Sequence, residues 1–290
     1  MKNKKAVMGY LFCLPWLIGF VILTAYPLFY SFYMAFHDIT IGATGIQTQF
    51  VGFNNFIYAF TLDLPFLGSL FGTIQTVGLL TPLIIILSIV IGLLLNKINK
   101  FKGFFRTLYF LPVIIVSGAL MLILEENGVF EIVNLESAMM YRWLSGTAFA
   151  VVLYITTFLI NQIFNVLWFS GIQILIYLSG MQKMNVSVYE AASIDGASAW
   201  QCFWKITLPG LKQFTIINVF YTVTMLATFP NNPVIILIQE NMFGTAPNQG
   251  LGYSSTLAWA YFILIILILL VFLFFAGLRF PKRRRKKVAL

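Results

Sequence analysis

The sequence has very little charge and few of the side chains that catalysis or metal binding requires. Only 9% of its 290 residues are charged, whereas a soluble domain carries about a quarter. That amount of charge is too small to cover a water-facing surface, which argues against a soluble enzyme. His37 is the only histidine, and Cys13 and Cys202 are the only cysteines. Nucleophile–histidine catalysis, a metal centre and a disulfide framework are therefore not expected.

Two further absences concern the source of energy. No G-x-x-x-x-G-K-[ST] motif occurs, so we expect no ATPase site, bound cofactor or metal in this chain. No ionisable residue lies near the middle of an apolar run, where proton- and voltage-coupled proteins keep such residues. We predict that the chain is not an enzyme, and any active transport by it would need an external energy source.

Apolar residues make up 60% of the sequence, including 30 Phe. A membrane-spanning helix needs about 20 mostly apolar residues, and six runs reach that length. We predict an all-α, polytopic membrane protein in which residues 1–290 form a single transmembrane domain. The first run is too long for a signal peptide and is interpreted as a retained anchor. The predicted spans are 8–36, 69–95, 104–124, 148–180, 214–238 and 254–278.

The basic residues, which give a net charge of +9, predict the orientation in the membrane. With six spans, every Lys and Arg except Arg142 lies on one side. Two short spans within residues 143–182 would instead move Lys183, Lys205 and Lys212 to the opposite side, which the positive-inside rule disfavours. We therefore predict that both termini are cytoplasmic. The basic residues serve as membrane anchors in this interpretation and do not indicate a nucleic-acid partner.

Residues 184–212, between the fourth and fifth predicted spans, are patterned as two short helices. Ser187 and Glu190 fit a capping box, and so do Ser198 and Gln201. Between the boxes, Asp195-Gly196 predicts a turn, because glycine adopts left-handed backbone geometry without strain.

The end of the same segment predicts a helix boundary. Pro209 lacks the backbone N–H that an internal helical position requires. We therefore expect the chain to break there, just before the fifth span.

The residues of this loop also carry a family resemblance. Glu190-Ala-Ala, then Gly196 after three residues, then Ile206-Thr-Leu-Pro209 after nine, resembles the EAA loop of ABC-importer permeases in residue types and spacing. Three further segments resemble the carbohydrate branch of that family: Phe50-Val-Gly-Phe-Asn-Asn-Phe56, Arg106-Thr-Leu-Tyr-Phe-Leu-Pro112 and Gly252-Tyr-Ser-Ser-Thr-Leu-Ala258.

The resemblance implies the permease fold of a type I importer in a bacterial cytoplasmic membrane. It also implies three partners: a second homologous permease in a heterodimer, two copies of a cytoplasmic ATPase that uses ATP and Mg, and an extracytoplasmic solute-binding protein. The EAA loop would then bind the ATPase. The residues expected to couple the two proteins are Tyr189, Glu190, Ala191, Ala192, Ile194, Asp195, Gly196, Ile206, Leu208 and Pro209.

Uncharged polar residues inside spans four and five are candidates for a substrate path. They recur at helical spacing, so that each set shares a helix face, and amides, hydroxyls and an aromatic ring suit neutral sugars. Hydrogen bonding between helices is the alternative explanation, and it is the one we prefer for any single residue of the set and for Gln173. Gly68 and Gly72 are likewise expected to allow close helix packing. The path candidates are Asn161, Asn165, Asn218, Tyr221, Thr222 and Met225.

The transported solute is expected to be an oligosaccharide. The alternative within the family is a polyol or a glycerophosphate-type solute. Residues 125–134 contain no tryptophan, and no Gly-Gly-Pro follows the fifth span. Both are departures from the pattern of the family that this sequence resembles, and they bear on which sugar is carried. A secondary transporter or channel acting alone would show inverted repeats or intramembrane charges, and the sequence has neither.

Overall fold

The computed structural model describes residues 2–42, 45–97, 103–104, 107, 162–244 and 248–276. These residues are mostly helical, with one β-hairpin and two short π-helical segments, Val21–Ala25 and Phe203–Thr207. The elements in chain order are α1 (Lys2–Phe20), α2 (Tyr26–Met34), β1 (His37–Gly42), β2 (Gly45–Phe50), α3 (Asn54–Thr61), α4 (Leu64–Lys97), α5 (Ile163–Phe169), α6 (Gly171–Gln182), α7 (Val186–Ile194), α8 (Ala199–Cys202), α9 (Leu208–Gly210), α10 (Lys212–Ala227), α11 (Pro233–Met242) and α12 (Leu251–Phe275).

Three helical stretches of the described residues are long and apolar enough to cross a membrane: Tyr10–Met34, Leu64–Lys97 and Leu251–Phe275. They correspond to the first, second and sixth predicted spans. Almost all of the predicted span 104–124, and residues 148–161 of the fourth, lie outside the described residues.

The fifth predicted span, 214–238, is not one continuous helix. Helix α10 ends at Ala227, and α11 begins at Pro233 with the Asn232 side chain accepting a hydrogen bond from the Val234 N–H at 2.9 Å. The sequence is apolar on both sides of the break, so hydropathy alone missed it. Thr228, Pro230 and two asparagines lie between the helices, and such residues favour turns and caps over helix interiors.

Both π-helical segments precede a proline at the same spacing. In each, the residue before the proline donates its N–H five residues back: Tyr26 to the Val21 carbonyl, and Leu208 to the Phe203 carbonyl. Proline donates no hydrogen bond, and its ring crowds the carbonyl four residues earlier. The wider turn therefore lets Pro27 and Pro209 stay within helical backbone.

The contacts divide the chain into two units, one formed by residues 1–74 and 228–266 and the other by residues 75–227 and 267–290. The first unit contains the hairpin, in which β1 and β2 pair antiparallel with Asp38 opposite Gln49. This hairpin corrects the all-α prediction for the first outer loop. The β-branched residues Ile39, Thr40 and Ile41 in β1, and Ile46 and Thr48 in β2, favour a strand over a helix.

Two apolar clusters are formed by described residues of the second unit. The first consists of Ile89, Tyr177, Met181 and Leu211, and the second of Ile91, Leu95, Ile174 and Leu178. Both place α6 against the last turns of α4. Gly180 in turn lets α6 pack closely against α10, because a Cβ at position 180 would approach the Phe214 ring to 2.7 Å.

Candidate functional site

Helix α7 carries the Glu-Ala-Ala residues of the EAA segment and begins two residues earlier than predicted. The Asn185 side chain caps it by accepting the N–H of Ser187 at 3.0 Å. The predicted capping box of Ser187 and Glu190 is therefore wrong, because Ser187 already lies inside the helix. Asparagine is as good an N-cap as serine, and in the structure the helix begins at the asparagine two residues earlier.

The predicted corner after α7 is confirmed. Asp195 is the C-cap residue, and Gly196 follows with a φ of +75°. The Gly196 N–H donates to the Ser193 carbonyl at 3.1 Å, and the Ala197 N–H donates to the Ala192 carbonyl at 2.9 Å. A glycine in left-handed geometry with these two bonds closes the last turn of the helix.

The second predicted capping box is also confirmed. The Ser198 hydroxyl accepts the Gln201 N–H at 3.3 Å, and the Gln201 side chain accepts the Ser198 N–H at 2.9 Å. From there the backbone stays helical through the π-helical segment and past Pro209 to Gly210, and α10 follows after the single turn residue Leu211. The predicted break at Pro209 is therefore wrong, because the π turn before it accommodates the missing donor.

Tyr189 points into the protein. Its hydroxyl hydrogen-bonds the Thr207 Oγ1 at 2.9 Å and donates to the Met184 Sδ at 3.1 Å. Thr207 is buried, and Leu208 packs against the first apolar cluster. This contact connects α7 to the helical stretch that continues into α10. Tyr189 was expected on the binding surface, whereas the structure makes it a residue that positions α7.

The opposite face of α7 is exposed. Its residues Ser187, Glu190, Ala191 and Ile194 follow the i, i+3, i+4, i+7 spacing of one helix face. Ile194 is 87% exposed, although it is a large apolar residue. Asp195 and Pro209 are exposed as well, whereas Ala192 and Ile206 are half-buried. The EAA segment thus combines an exposed, mostly uncharged helix face with a fixed inner face.

A cavity of about 580 Å³ lies beneath the inner face of α7. It is bounded by the end of α4, by Met181 and Met184, and by the half-buried Cys202. Tyr189 and Thr207 also line this cavity, so the hydrogen bond between them forms part of its wall.

The polar candidates of α10 pair with α6. Thr222 accepts a hydrogen bond from the Gln173 side chain at 2.9 Å, and Asn218 donates to the Gln173 carbonyl at 3.4 Å. Tyr177 donates to Thr215 at 3.1 Å in the same row. Asn218 and Thr222 are buried, so the alternative of interhelical hydrogen bonding holds for them and for Gln173. Sequence reasoning did not identify Tyr177 and Thr215. The available signal was helical spacing, because Tyr177 lies four residues after Gln173 and Thr215 lies three residues before Asn218.

The remaining path candidates differ in position. Tyr221 and Met225 are half-buried on α10. Asn165 donates to the Gln162 side chain within its own turn. Asn161 lies outside the described residues.

Two of the supporting sequence motifs meet in the first unit, although some 200 residues separate them. Asn55, from the first motif, donates to the Ala35 and His37 carbonyls at 3.4 and 3.3 Å. Thr256, from the last motif, donates to the same Ala35 carbonyl at 2.8 Å. A Cβ at Gly252 would overlap the His37 carbonyl. The two motifs together hold the chain that leaves α2.

The comparisons with known proteins cover nearly the whole chain. No family model matches it. The probable ABC transporter permease protein YesP of Bacillus subtilis (strain 168) is 30% identical over 284 residues, which cover 93% of this chain and 90% of that protein. The arabinooligosaccharides transport system permease protein AraP of the same organism is 28% identical and covers 95% of this chain and 90% of its own length.

Among solved structures, a bacterial alginate ABC transporter in complex with an alginate pentasaccharide-bound periplasmic protein matches the fold. Its TM-score is 0.52 at 18% identity, with 95% of this chain and 94% of that chain covered. At that identity the match supports the fold alone. The identity and coverage of YesP establish the family. The chain therefore belongs to the family of ABC transporter permeases.

Proposed function

We propose that the chain forms half of the translocation pore of an ATP-driven oligosaccharide importer and is coupled to a separate ATPase through its EAA segment. The observation that carries the proposal is the exposed face of α7 that includes Glu190, Ala191 and Ile194. Val186 and Val188 of the same short helix are exposed as well, and several exposed apolar side chains close together favour a protein partner. Small alanines beside them let a helix sit deep in a cleft.

The connection of α7 to the rest of the unit supports coupling as well as binding. The Tyr189–Thr207 hydrogen bond and the Gly196 corner fix α7 relative to the helix that continues into α10. A displacement of α7 by the ATPase would therefore be transmitted to α10, which begins the predicted fifth span. A loosely attached loop would absorb such a displacement instead.

The partners and placement follow from the same proposal. The chain would pair with a second homologous permease and two ATPase copies in a bacterial cytoplasmic membrane, with both termini cytoplasmic and six spans. A solute-binding protein would deliver the sugar, as the periplasmic protein accompanies the alginate transporter. The relative that transports arabinooligosaccharides supports an oligosaccharide as the solute.

The half-buried residues Tyr221 and Met225 are the part of the candidate substrate path that stays accessible on α10. We expect Tyr221→Ala to lower sugar uptake in proteoliposomes while the ATPase still co-purifies, because a ring that stacks on the sugar is lost. Uptake unchanged from the wild type would remove Tyr221 from the path.

Cross-linking tests the binding of the ATPase directly. The assembled transporter carries Ile194→Cys in a background of Cys13→Ser and Cys202→Ser and reacts with a short thiol-to-amine cross-linker. We expect a permease–ATPase product with Ile194→Cys and a much weaker one with Gln182→Cys, an exposed position at the end of α6. Equal products, or none from Ile194→Cys, would contradict the proposed binding face.

A further inference from the structure

Helix α3 is short, and its two faces differ sharply. Asn55 and Ala59 on one face are buried, and Asn55 binds the Ala35 and His37 carbonyls. On the other face Phe53, Ile57 and Phe60 follow the i, i+4, i+7 spacing and are 67%, 58% and 49% exposed. The polar residue is therefore turned towards the protein and the large apolar residues are turned away from it.

The position of α3 relative to a predicted span limits what can cover this apolar face. Only Leu62 and Asp63 separate α3 from α4, and Asp63 accepts the N–H of Phe66 at 2.9 Å in the first turn of α4. The Phe60 ring lies 6.1 Å from the Phe66 ring. Helix α3 thus lies against the end of a helix long enough to cross the membrane.

The apolar surface continues from α3 onto that helix. Leu64 and Phe71 of α4 are also exposed. Because these residues belong to a membrane-crossing helix, the exposed face of α3 extends a surface that is suited to lipid.

The chemistry of the face favours lipid over a protein partner. No residue from Asn54 to Thr61 is charged. The Thr61 hydroxyl already donates a hydrogen bond to the Ile57 carbonyl at 2.6 Å. Protein interfaces carry about one hydrogen bond per 100–200 Å², and this face offers almost no group to form one. Helices with one strongly apolar face lie in the plane of the membrane interface.

We propose that α3 lies in the interfacial layer of the membrane, with Phe53, Ile57 and Phe60 among the lipid headgroups and the upper acyl chains. The Asn55 contacts hold the chain between α2 and β1 on its inner side. The helix would thereby fix the depth at which the first and second spans leave the membrane. This inference rests on the membrane placement proposed above.

Spin-label accessibility tests the proposal. A nitroxide is placed at Ile57→Cys in the assembled transporter in liposomes, with Cys13→Ser and Cys202→Ser as background. Oxygen concentrates in lipid, whereas a nickel chelate stays in water. We expect a higher oxygen-to-nickel accessibility ratio at Ile57→Cys than at Gln49→Cys, an exposed position of β2, and the same result at Phe53→Cys.

Two outcomes would overturn the proposal. A nickel-dominated label at Ile57→Cys would place α3 in water, and an immobilised label inaccessible to both reagents would mean that a protein covers it. Leu23→Cys, an exposed position in the middle of the first span, separates this test from the proposed function. If that label is also water-accessible, the membrane placement itself fails. If it is lipid-accessible and Ile57→Cys is not, only the inference on α3 fails.

Discussion

At the scale of single residues, Gly196 determines whether α7 can end where it does. Its φ of +75° is strained for any residue with a Cβ, yet no atom of the described residues lies within 4 Å of the position a Cβ would take. The requirement for glycine is therefore conformational and not steric. Asparagine adopts this left-handed geometry far more readily than valine does.

This distinction gives a matched pair of variants. We expect Gly196→Val to cost about 1–3 kcal/mol locally, to insert into the membrane and to lose most of the co-purifying ATPase. Gly196→Asn should retain most of it, because asparagine tolerates the same φ. The measurement is the ratio of ATPase to permease after purification through a tag on this chain. If both variants lose the same amount of ATPase, the added side chain itself and not the backbone conformation at position 196 would be the cause.

A second glycine is constrained by its neighbours. At Gly252 a Cβ would overlap the His37 carbonyl, whereas at Gly68 no described atom lies within 4 Å. The close helix packing expected at Gly68 and Gly72 is thus not found among the described residues. We expect Gly252→Ala to destabilise the protein by about 1–3 kcal/mol, as overpacking does. Gly68→Ala should be neutral or slightly stabilising, because alanine is the better helix former.

Thermal denaturation of the two purified variants in detergent measures this difference. The unfolding temperature of Gly252→Ala should fall below that of the wild type, and that of Gly68→Ala should not. If both variants have the unfolding temperature of the wild type, the contact between the start of α12 and the first residue of β1 is not as tight as the structure has it.

At the scale of elements, the sequence predicted what depends on local chemistry. The corner at Gly196 and the box of Ser198 and Gln201 need only residues within one turn of each other, and both are as predicted. The start of α7 was missed because Asn185 and Ser187 are both good caps, and nothing local decides between two such residues two positions apart.

Other elements depend on distant partners or on backbone adjustments that a pattern does not reveal. Pro209 was predicted to break the helix, but the π-helical turn before it absorbs the missing hydrogen bond. Tyr189 looked like a surface residue until Thr207, eighteen residues later, supplied its partner. The meeting of Asn55 with Thr256 is likewise a long-range pairing that no sequence window contains.

At the scale of the whole molecule, three of the six predicted spans, the first, second and sixth, are confirmed as helices of membrane-crossing length. Helix α4, with 34 residues, is roughly 50 Å long at 1.5 Å per residue and exceeds the hydrocarbon thickness of about 30 Å. Its two ends therefore extend beyond the apolar core or the helix tilts. The polar ends, with Asp63 before it and Lys97 at its last residue, agree with the first alternative.

The proposed orientation predicts which segments a membrane-impermeant thiol reagent reaches. In cells that lack an outer barrier, and with both native cysteines replaced by serine, Thr48→Cys in β2 should be labelled. Ser193→Cys in α7 should be labelled only after the membrane is permeabilised, because the positive-inside rule places α7 in the cytoplasm. Labelling of Ser193→Cys in intact cells would reverse the orientation.

ATP-dependent uptake in proteoliposomes tests the central claim, that α7 couples this permease to an ATPase. The liposomes contain ATP and the assembled transporter, and the solute-binding protein with a labelled arabino-oligosaccharide is added outside. We expect Ile194→Asp to lower uptake about tenfold or more, since about 1.4 kcal/mol of lost binding corresponds to a factor of ten. Gln182→Asp, at an exposed site away from the α7 face, should transport normally. Wild-type uptake with Ile194→Asp, or uptake that needs no ATP, would contradict the account.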